Sequence, residues 1–450
     1  MAKVYEMIPK DVKKINTCFR RIQTKFPVPE SIPILENLQK YEPISMQGQP
    51  LIVWDKAKDF QIFDKWGNIW LDWSSGVLVT NAGHSNSKIQ EAIINQVNYG
   101  LLHNYCFPSE MRAKLAEKLV NLAPKSLGKV FLLTTGSEAT ECVLKLSRTY
   151  GFKNGGKEKI KMISFTGAFH GRTLGSQMMG GIPSLKDWII NLDKDIQQVP
   201  FPNCFRCPWG KENYQNCDKE CFENFKNYLS SISVSPNQIA GIITETYQGG
   251  GSTFLPKGFV KLLSNFCKEN DILLTFDEVQ AGFGRTGKMF AFEHYEVEPD
   301  LICCGKGITS SLPLSAVIGR NDVMDLYQAR AMTSTHTGNP VCIAAALASI
   351  DCIVENNLVK NADEIGKILL EELEKIQKDF KDVVGVIQGK GLVYGMHIVM
   401  PKTKTPNPDL AFELVGKAVE KGLALFTPVG EATLKIAPPL TITKEAIKDG

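Results

Sequence analysis

The chain contains 450 residues with a formal net charge of +3, and 43% of its residues are hydrophobic while 22% are charged. This length exceeds the size at which one hydrophobic core keeps growing, so it predicts two domains or one large domain with a smaller one. The near-neutral charge gives no electrostatic reason to expect nucleic acid or a membrane surface as a partner. The first residues contain no apolar segment of signal-peptide length, which favours a soluble cytoplasmic protein.

The N-terminal part of the chain combines an irregular arm with a strand pattern. Three prolines fall between positions 27 and 33, which is typical of an arm. Residues 51–73 alternate apolar and polar positions around a turn at 64–68, and this pattern predicts a β-hairpin. Residues 76–84 form a loop of small and apolar residues ahead of a helix that begins near position 87.

From about position 130 the chain repeats a unit of strand, turn and helix. Residues 130–134 are a short apolar run that predicts a buried strand, and the helix that follows extends to about Tyr150. Gly136 and Ser137 open this helix, and we place Ser137 at its N-cap. Free backbone N–H groups and a hydroxyl at a helix start suit a phosphate group, although an ordinary N-cap has the same composition.

The next two strands also end in side chains that are suited to binding. The strand that ends near position 165 leads into Phe169, His170 and Arg172, and a later strand ends at Glu245. Phe169 can stack on a flat ring, and Arg172 can bind a carboxylate. Because parallel strands bring their carboxyl ends to one edge of a sheet, these loops are expected to converge there.

Residues 272–276 and 301–304 predict two further buried strands. Asp277 ends the first and Lys306 follows the second, so two parallel strands would bring both side chains to the same sheet edge. Desolvation favours the neutral lysine amine, which attacks carbonyl compounds, and a nearby acid can hold the protonated ring nitrogen of pyridoxal phosphate. For either residue alone, a strand-end cap or a solvated turn is the more common role.

The order of these elements predicts an α/β fold. The large domain has a mostly parallel central sheet sandwiched by helices, and a smaller α+β domain accompanies it. We assign residues 1–75 to an N-terminal arm and part of the small domain, residues 76–345 to the large cofactor-binding domain, and residues 346–450 to the C-terminal small domain. A cysteine-rich insertion at about 203–222 interrupts the large domain.

Four of the twelve cysteines lie close together in a polar, turn-rich stretch. They form the pattern Cys204-x-x-Cys207 followed by Cys217-x-x-x-Cys221, so their thiolates are candidate ligands for a structural zinc ion or an iron–sulfur cluster. Free thiols or a disulfide pair in a surface insertion are the alternative. Several of the other cysteines lie inside apolar runs, which indicates core residues in a reducing compartment.

Gly282, Gly284 and Gly287 match the spacing of a dinucleotide-binding turn. However, residues 277–280 separate this motif from the preceding strand, and no clear helix opening follows it. A nicotinamide-dependent oxidoreductase is therefore disfavoured.

Five motifs in combination resemble the class III aminotransferases, the fold-type I pyridoxal-phosphate enzymes that include 4-aminobutyrate and ornithine aminotransferases. The motifs are TGSEA at 135–139, FHGRT at 169–173, DEVQAGFGRTG at 277–287, GKG at 305–307 and THTGNP at 335–340, and the similarity runs from about Trp54 to Leu440. The resemblance implies that Lys306 forms a Schiff base with the cofactor and moves a proton between substrate and cofactor. It also implies that Asp277 keeps the cofactor's ring nitrogen protonated.

The resemblance further implies a set of residues that contact the cofactor. They are Gly136 and Ser137 at the phosphate, Phe169 and Val279 on the two faces of the ring, Gln280 at the phenolic oxygen, His170 and Glu245 as further contacts, and Thr335, which reaches the phosphate from the neighbouring subunit. This last contact implies a homodimer with shared active sites, and leaves a higher oligomer open.

Two positions depart from the family pattern. Where the aminobutyrate and ornithine enzymes have an arginine that binds an α-carboxylate and a glutamate that pairs with it, this chain has Lys435 and Gly250. Arg172, which resembles the arginine for a distal carboxylate, is retained, and Val77 lies in a loop expected to face the substrate. Lysine lacks the bidentate fork of arginine, so weaker α-carboxylate binding is expected.

These departures favour an ω- or β-amino donor, meaning an amino acid, an amine or an acyl derivative, with a 2-oxo acid such as 2-oxoglutarate or pyruvate as acceptor. The close alternative is a pyridoxal-phosphate-dependent amino-acid racemase or epimerase of the same fold, and a decarboxylating member is a more distant one. A cofactor-binding scaffold without turnover is disfavoured because Lys306, Asp277 and Gln280 are all present.

Overall fold

The computed structural model describes residues 3–211, 217–428 and 432–450. In chain order its strands are β1 (Ile15–Asn16), β2 (Arg21–Ile22), β3 (Lys56–Lys58), β4 (Gln61–Phe63), β5 (Ile69–Asp72), β6 (Lys129–Leu133), β7 (Lys161–Phe165), β8 (Ile196–Val199), β9 (Ile239–Glu245), β10 (Tyr247–Gln248), β11 (Thr253–Phe254), β12 (Leu273–Asp277), β13 (Leu301–Cys304), β14 (Ser315–Gly319), β15 (Val384–Lys390), β16 (Val393–Ile398), β17 (Leu423–Ala424) and β18 (Thr433–Ile436).

Its helices are α1 (Ile32–Tyr41), α2 (Ser75–Leu78), α3 (Ser87–Tyr99), α4 (Glu110–Leu122), α5 (Gly136–Gly155), α6 (Leu174–Met179), α7 (Asp218–Ser231), α8 (Lys257–Glu269), α9 (Asn321–Met324), α10 (Pro340–Glu355), α11 (Leu358–Asp379), α12 (Pro408–Glu420) and α13 (Lys444–Asp449).

The central sheet has seven strands in the order β6-β14-β13-β12-β9-β7-β8. Strands β13, β12, β9, β7 and β8 run parallel, whereas β14 is antiparallel to both of its neighbours. Every residue of β9, β12, β13 and β14 is buried, as expected for strands with helices on both faces. The predicted α/β fold with a mostly parallel central sheet is therefore confirmed.

Alternate residues of the central strands point into two separate apolar cores, because side chains along a strand alternate between its faces. On one face, Ile243 and Leu273 pack with residues of helix α5 such as Leu146. On the other face, Ile242 and Leu274 pack in a larger core that includes residues of α7, α8 and α10. These two cores fix the register of the central strands, and hence the position of the residues at their carboxyl ends.

Two smaller sheets contain the remaining N-terminal and C-terminal strands. The first has the order β1-β2-β5-β4-β3, and β17 pairs in parallel with β5, so segments from both ends of the chain share one sheet. Strands β4 and β5 form the hairpin predicted around positions 64–68. The second is the antiparallel sheet β15-β16-β18. The exact domain boundaries at 75 and 345 stay a prediction.

Strand register places the acidic residues side by side. In the parallel pair β9 and β12, Glu245 lies opposite Asp277, and in the pair β12 and β13, Asp277 lies opposite Cys303. Lys306 follows β13 after a single further residue. The predicted convergence of Glu245, Asp277 and Lys306 at the carboxyl edge of the sheet is therefore observed.

The cysteine-rich insertion contains free thiols, and the disulfide alternative is wrong for the structure described. Cys221 is buried, and Cys204, Cys207 and Cys217 are half-buried. Within the ranges that the structure describes, no group of three or more His, Cys, Asp or Glu side chains is placed to hold a metal ion. The metal site therefore stays a prediction from cysteine spacing.

No single helix in the described part of the chain is long and apolar enough to cross a bilayer. The bent pair α10 and α11 together has the length and apolar composition of a membrane span, on these two properties alone.

Candidate active site

A cavity of about 350 Å³ opens at the carboxyl edge of the central sheet. It brings together all nine residues that the sequence analysis assigned to the cofactor from this subunit. Its lining comprises Val79, Thr134, Thr135, Gly136, Ser137, Phe169, His170, Gly171, Glu245, Asp277, Val279, Gln280, Lys306, Ser311, Leu312, Pro313 and Leu314.

A buried ion pair forms the base of the cavity. His170 Nδ1 lies 2.8 Å from Asp277 Oδ2, and the backbone N–H of Val279 donates to Asp277 Oδ1 at 3.1 Å. Burial alone would lower the pKa of His170, but the hydrogen bond and the negative charges of Asp277 and Glu245 raise it above its ordinary value. The contact with Asp277 therefore favours the protonated form of the buried imidazole. The Nε2 atom of His170 is buried and has no hydrogen-bond partner among the described residues.

Lys306 projects into the cavity from a strained backbone position. Its φ angle is 44°, in the left-handed region that non-glycine residues rarely adopt. Such strain costs about 1–3 kcal/mol and is concentrated at functional sites. Burial of the amine lowers its pKa, while Asp277 and Glu245 act in the opposite direction. The neutral, nucleophilic form of Lys306 is therefore favoured relative to a lysine in water.

Glycines bring the backbone close to the side chains that line the cavity. A Cβ atom at Gly136 would lie 2.8 Å from Val279 Cγ1, and one at Gly305 would lie 3.1 Å from the same atom. A Cβ atom at Gly171 would lie 2.3 Å from Ser137 Oγ. The φ angle of Gly171 is also +131°, so a side chain there would be strained as well as crowded. The wall around Val279 and Ser137 therefore has no room for larger residues.

The start of α5 corrects one prediction. The N-cap is Thr135 rather than Ser137, because the Thr135 hydroxyl accepts from the Glu138 N–H at 3.3 Å while Glu138 accepts from the Thr135 N–H at 2.9 Å. This reciprocal pair is a capping box. Ser137 instead lies in the first turn, where its hydroxyl accepts from the Arg172 N–H at 3.2 Å. The first-turn N–H groups of Gly136 and Ser137 have no acceptor within the helix, which suits an anion at the cavity wall.

Glu245 joins two loops at the side of the cavity. Its carboxylate accepts from the backbone N–H of Phe169 at 3.0 Å and from that of Gly249 at 2.8 Å. Burial raises the pKa of Glu245 to about 7, with His170 acting to lower it and Asp277 to raise it. Glu245 therefore fixes the position of Phe169, and its charge is sensitive to the state of the His170–Asp277 pair.

Lys435 lies behind Gln280 and does not line the cavity. Its side chain is 3% exposed, and its amine donates to the backbone carbonyl of Gly249 and, at 3.0 Å, to Gln280 Oε1. Burial lowers the pKa of this amine to about 7. The prediction that Lys435 contacts a substrate carboxylate is not tested by these contacts and stays a prediction.

Three other predicted residues lie outside the cavity lining. Arg172 is exposed, and its guanidinium carbon lies 5.6 Å from the centre of the Phe169 ring. Val77 is 44% exposed. Thr335 lines a separate surface pocket with Thr333 and Ser334. Their predicted roles with substrate or with a second subunit therefore stay predictions.

Val77 belongs to an unusual turn that sequence reasoning did not predict. Ser75, Gly76, Val77 and Leu78 have φ angles of 52°, 56°, 63° and 62°, so α2 is a left-handed turn. Three of the four residues carry a side chain, and valine is β-branched, which makes this conformation costly. The turn directs the chain so that Val79 lines the cavity.

The sequence did not predict the remaining residues that line the cavity, although one segment of them carried a recognisable sequence signal. Residues 311–314 follow Lys306 closely in the chain, and their Pro313 disfavours a central strand or helix. Glu278 follows Asp277 directly in the chain. It is fully buried and faces away from the cavity lining, where it accepts from Thr246 Oγ1 and from the N–H groups of Ala291 and Phe292.

Comparison with known proteins identifies the family. The model of the family described as aminotransferase class-III matches residues 44–450. A leucine/methionine racemase of Thermococcus litoralis is 34% identical over 89% of this chain and 88% of its own length. A probable 4-aminobutyrate aminotransferase of Bacillus subtilis is 33% identical over 88% of this chain and 90% of its own length. The PLP-bound structure of an amine transaminase from an uncultivated Pseudomonas species has a TM-score of 0.82, with 26% identity and 97% coverage of both chains.

Proposed function

The chain belongs to the class III aminotransferases, which depend on pyridoxal phosphate, and from this premise we propose that it moves an amino group from an ω- or β-amino donor to a 2-oxo acid. The reaction class follows from the family. The site assignment rests on one observation, the cavity that joins Lys306, the His170–Asp277 pair and the start of α5. The donor class rests on the contacts of Lys435.

The residues of the cavity fit pyridoxal phosphate. The buried carboxylate of Asp277 suits a protonated ring nitrogen, the glycine-lined wall next to Val279 suits a flat ring, and the start of α5 suits a phosphate. When bound, the cofactor supplies an aldehyde for an amine to capture and a ring that withdraws electrons. Lys306 would bind the aldehyde and then move a proton at the substrate carbon. Asp277 would hold the proton on the ring nitrogen, and the hydrogen bond to His170 would orient its carboxylate.

Further contacts would hold the cofactor in place. Phe169 and Val279 would cover the two faces of the ring, and Gln280 would donate to its phenolic oxygen. Gly136 and Ser137 would bind its phosphate.

The environment of Lys435 supports a donor whose amine is remote from its carboxylate. A carboxylate is bound most firmly by a permanently charged, bidentate group. The amine of Lys435 already donates to Gly249 and Gln280, and burial lowers its pKa to about 7, so near neutral pH it carries only part of a positive charge. Arg172 is exposed at the edge of the site, beside Phe169, where it is suited to a distal carboxylate.

An amino-acid racemase is the second candidate, favoured by the similarity to the leucine/methionine racemase of Thermococcus litoralis. In that reaction Lys306 would return the proton to the carbon from which it came. The same cavity serves both reactions, so the two candidates differ in where the proton goes.

The visible absorption of the purified holoenzyme separates the two candidates. We expect the band of the bound cofactor to disappear on addition of 4-aminobutyrate or a β-amino acid without an acceptor, because the amino group stays on the cofactor. L-isoleucine is the control α-amino acid, and we expect a slower or smaller loss with it. L-glutamate and L-alanine are the products of transfer to 2-oxoglutarate and pyruvate, so loss of the band with one of them identifies the acceptor. If the band persists while an α-amino acid loses its optical activity, the racemase candidate is correct and the aminotransferase proposal fails.

We also propose that the active sites are shared within a homodimer. This is supported by the family role of Thr335 and by its exposed position outside the cavity of its own subunit. Sharing predicts that Lys306→Ala and Thr335→Ala subunits complement each other, since a mixed dimer has one site with an intact Lys306 and an intact Thr335.

The complementation is measured by refolding or co-expressing the two variants and assaying activity at low cofactor concentration. We expect the mixture to exceed the sum of the two separate variants. A mixture that never exceeds this sum, or a monomer in analytical ultracentrifugation, would contradict shared sites.

A further inference from the structure

We propose that Lys435 is a positioning residue that fixes the orientation of the Gln280 side-chain amide, and so leaves the amide N–H of Gln280 as the donor for the cofactor's phenolic oxygen. This inference rests on the proposed function, because it assigns Lys435 a task within that site. It departs from the expectation that Lys435 binds a substrate carboxylate directly.

The contacts of the amine define which end of the amide faces it. The amine of Lys435 donates to the backbone carbonyl of Gly249 and to Oε1 of Gln280 at 3.0 Å. Because a backbone carbonyl only accepts, one N–H of the amine is committed to Gly249, and the second is directed at the Gln280 oxygen. This contact occupies the acceptor oxygen of the Gln280 amide, so its Nε2 donor group is left for another partner, and Gln280 lines the cavity.

The backbone of the Gly249 loop completes this arrangement. A Cβ atom at Gly249 would lie 2.7 Å from Gln280 Nε2 and 2.8 Å from Glu245 Oε1. The absence of a side chain at Gly249 therefore lets Gln280 and Glu245 pack against the loop, while the carbonyl of Gly249 accepts from Lys435. Since Gly249 also donates its N–H to Glu245 at 2.8 Å, the loop is held from two sides.

The position of Lys435 is itself fixed by the small sheet. Lys435 lies in β18, opposite Gly395 of β16. Its amine lies 5.8 Å from the centre of the Tyr247 ring and 5.9 Å from that of Phe426, distances at which aromatic rings stabilise a cation. Glu245 also favours the charged amine, whereas Lys306 and Arg285 disfavour it. A substrate carboxylate that replaced Gly249 or Gln280 at this amine would break one of these two hydrogen bonds.

The test is a pH titration of the cofactor's visible band in holoenzyme variants. A donor to the phenolic oxygen stabilises its negative charge, so loss of the donor raises the midpoint of the titration. We expect Lys435→Met to raise the midpoint by about one pH unit, and Lys435→Arg, which restores a donor, to restore the midpoint. If Lys435→Met does not fold, Lys435→Gln replaces the amine with a neutral polar group. The same upward shift of the titration midpoint is expected for this variant.

A double-mutant cycle distinguishes positioning from a direct effect of charge. If Lys435 acts through Gln280, Lys435→Met should cause no further shift in a Gln280→Met background. An undiminished shift in that background, or no shift with Lys435→Met alone, would overturn the inference. Lys159→Met is the matched control, since Lys159 is also buried but pairs with Asp271 at 3.1 Å and does not line the cavity.

The same measurement separates this inference from the proposed function. A wild-type protein that shows no visible band after incubation with pyridoxal phosphate would contradict the proposed function. A wild-type protein with a normal band, whose titration is unchanged by Lys435→Met, would contradict only the role of Lys435.

Discussion

Lys306→Ala is expected to reduce turnover by about 10⁴-fold, because it removes the amine that captures the cofactor and the group that moves the proton at the substrate carbon. The cofactor should still bind, though more weakly, since the phosphate contacts at Gly136 and Ser137 and the ring contact at Asp277 remain. The measurement is the initial rate of 2-oxo acid formation at saturating pyridoxal phosphate, together with the amount of cofactor retained after gel filtration.

Lys159→Ala serves as a control for the loss of a buried lysine. Lys159 pairs with Asp271 at 3.1 Å and lies outside the cavity lining, so its replacement should leave the rate near that of the wild type. A Lys306→Ala variant that retains activity within tenfold of the wild type would contradict the assignment of Lys306.

Asp277→Asn is expected to raise the barrier by about 3–4 kcal/mol, a loss of several hundred-fold in kcat. A neutral amide cannot hold a proton on the ring nitrogen, so the cofactor would withdraw electrons less effectively. The change also removes the negative charge beside His170, and this charge raises the pKa of His170 whereas burial alone lowers it. The pKa of the buried imidazole is therefore expected to fall in the variant.

The loss is measured by comparing kcat of the wild type and the variant with the best donor. The sign of the pH effect on stability follows from the raised pKa of His170. In the wild type, the contribution of His170 to stability is present below its unfolded pKa and is lost as the pH rises through its folded pKa. This pH dependence should disappear in Asp277→Asn. Near-normal turnover in the variant would contradict the role of Asp277.

The regular elements were largely predictable from local sequence. Strand Leu301–Cys304 has the bounds that its apolar run predicted, and strands Lys129–Leu133 and Leu273–Asp277 lie within one residue of the predicted ones. Each of these segments is a run of apolar residues that becomes buried. The pattern that predicts the strand therefore lies within the segment itself. The N-cap of α5 is Thr135 and not the predicted Ser137, although Thr135 and Glu138 carry the capping-box spacing, because a serine after a helix-opening glycine has the same N-cap composition.

The geometry of the site depends on contacts between distant parts of the chain, which local patterns do not contain. His170 and Asp277 are 107 residues apart, and the amine of Lys435 meets a carbonyl that lies 186 residues away. The sequence could indicate that Lys435 departs from the family pattern, but not that its amine is occupied within the protein. The left-handed turn at Ser75–Leu78 had no local signal beyond Gly76, because the tertiary contacts of Leu78 in an apolar cluster with Tyr247 outweigh its strain.

The central claim is that Lys306 is the residue that binds the cofactor, and reduction of the holoenzyme with borohydride tests it most directly. Reduction makes the link between lysine and cofactor permanent, and peptide mass spectrometry then locates it. We expect a cofactor-derived mass on the peptide that contains Lys306. Lys435 is the natural competitor, since its buried amine also has a pKa lowered to about 7. A cofactor mass on Lys435 or on any other lysine, with Lys306 unmodified, would contradict the account.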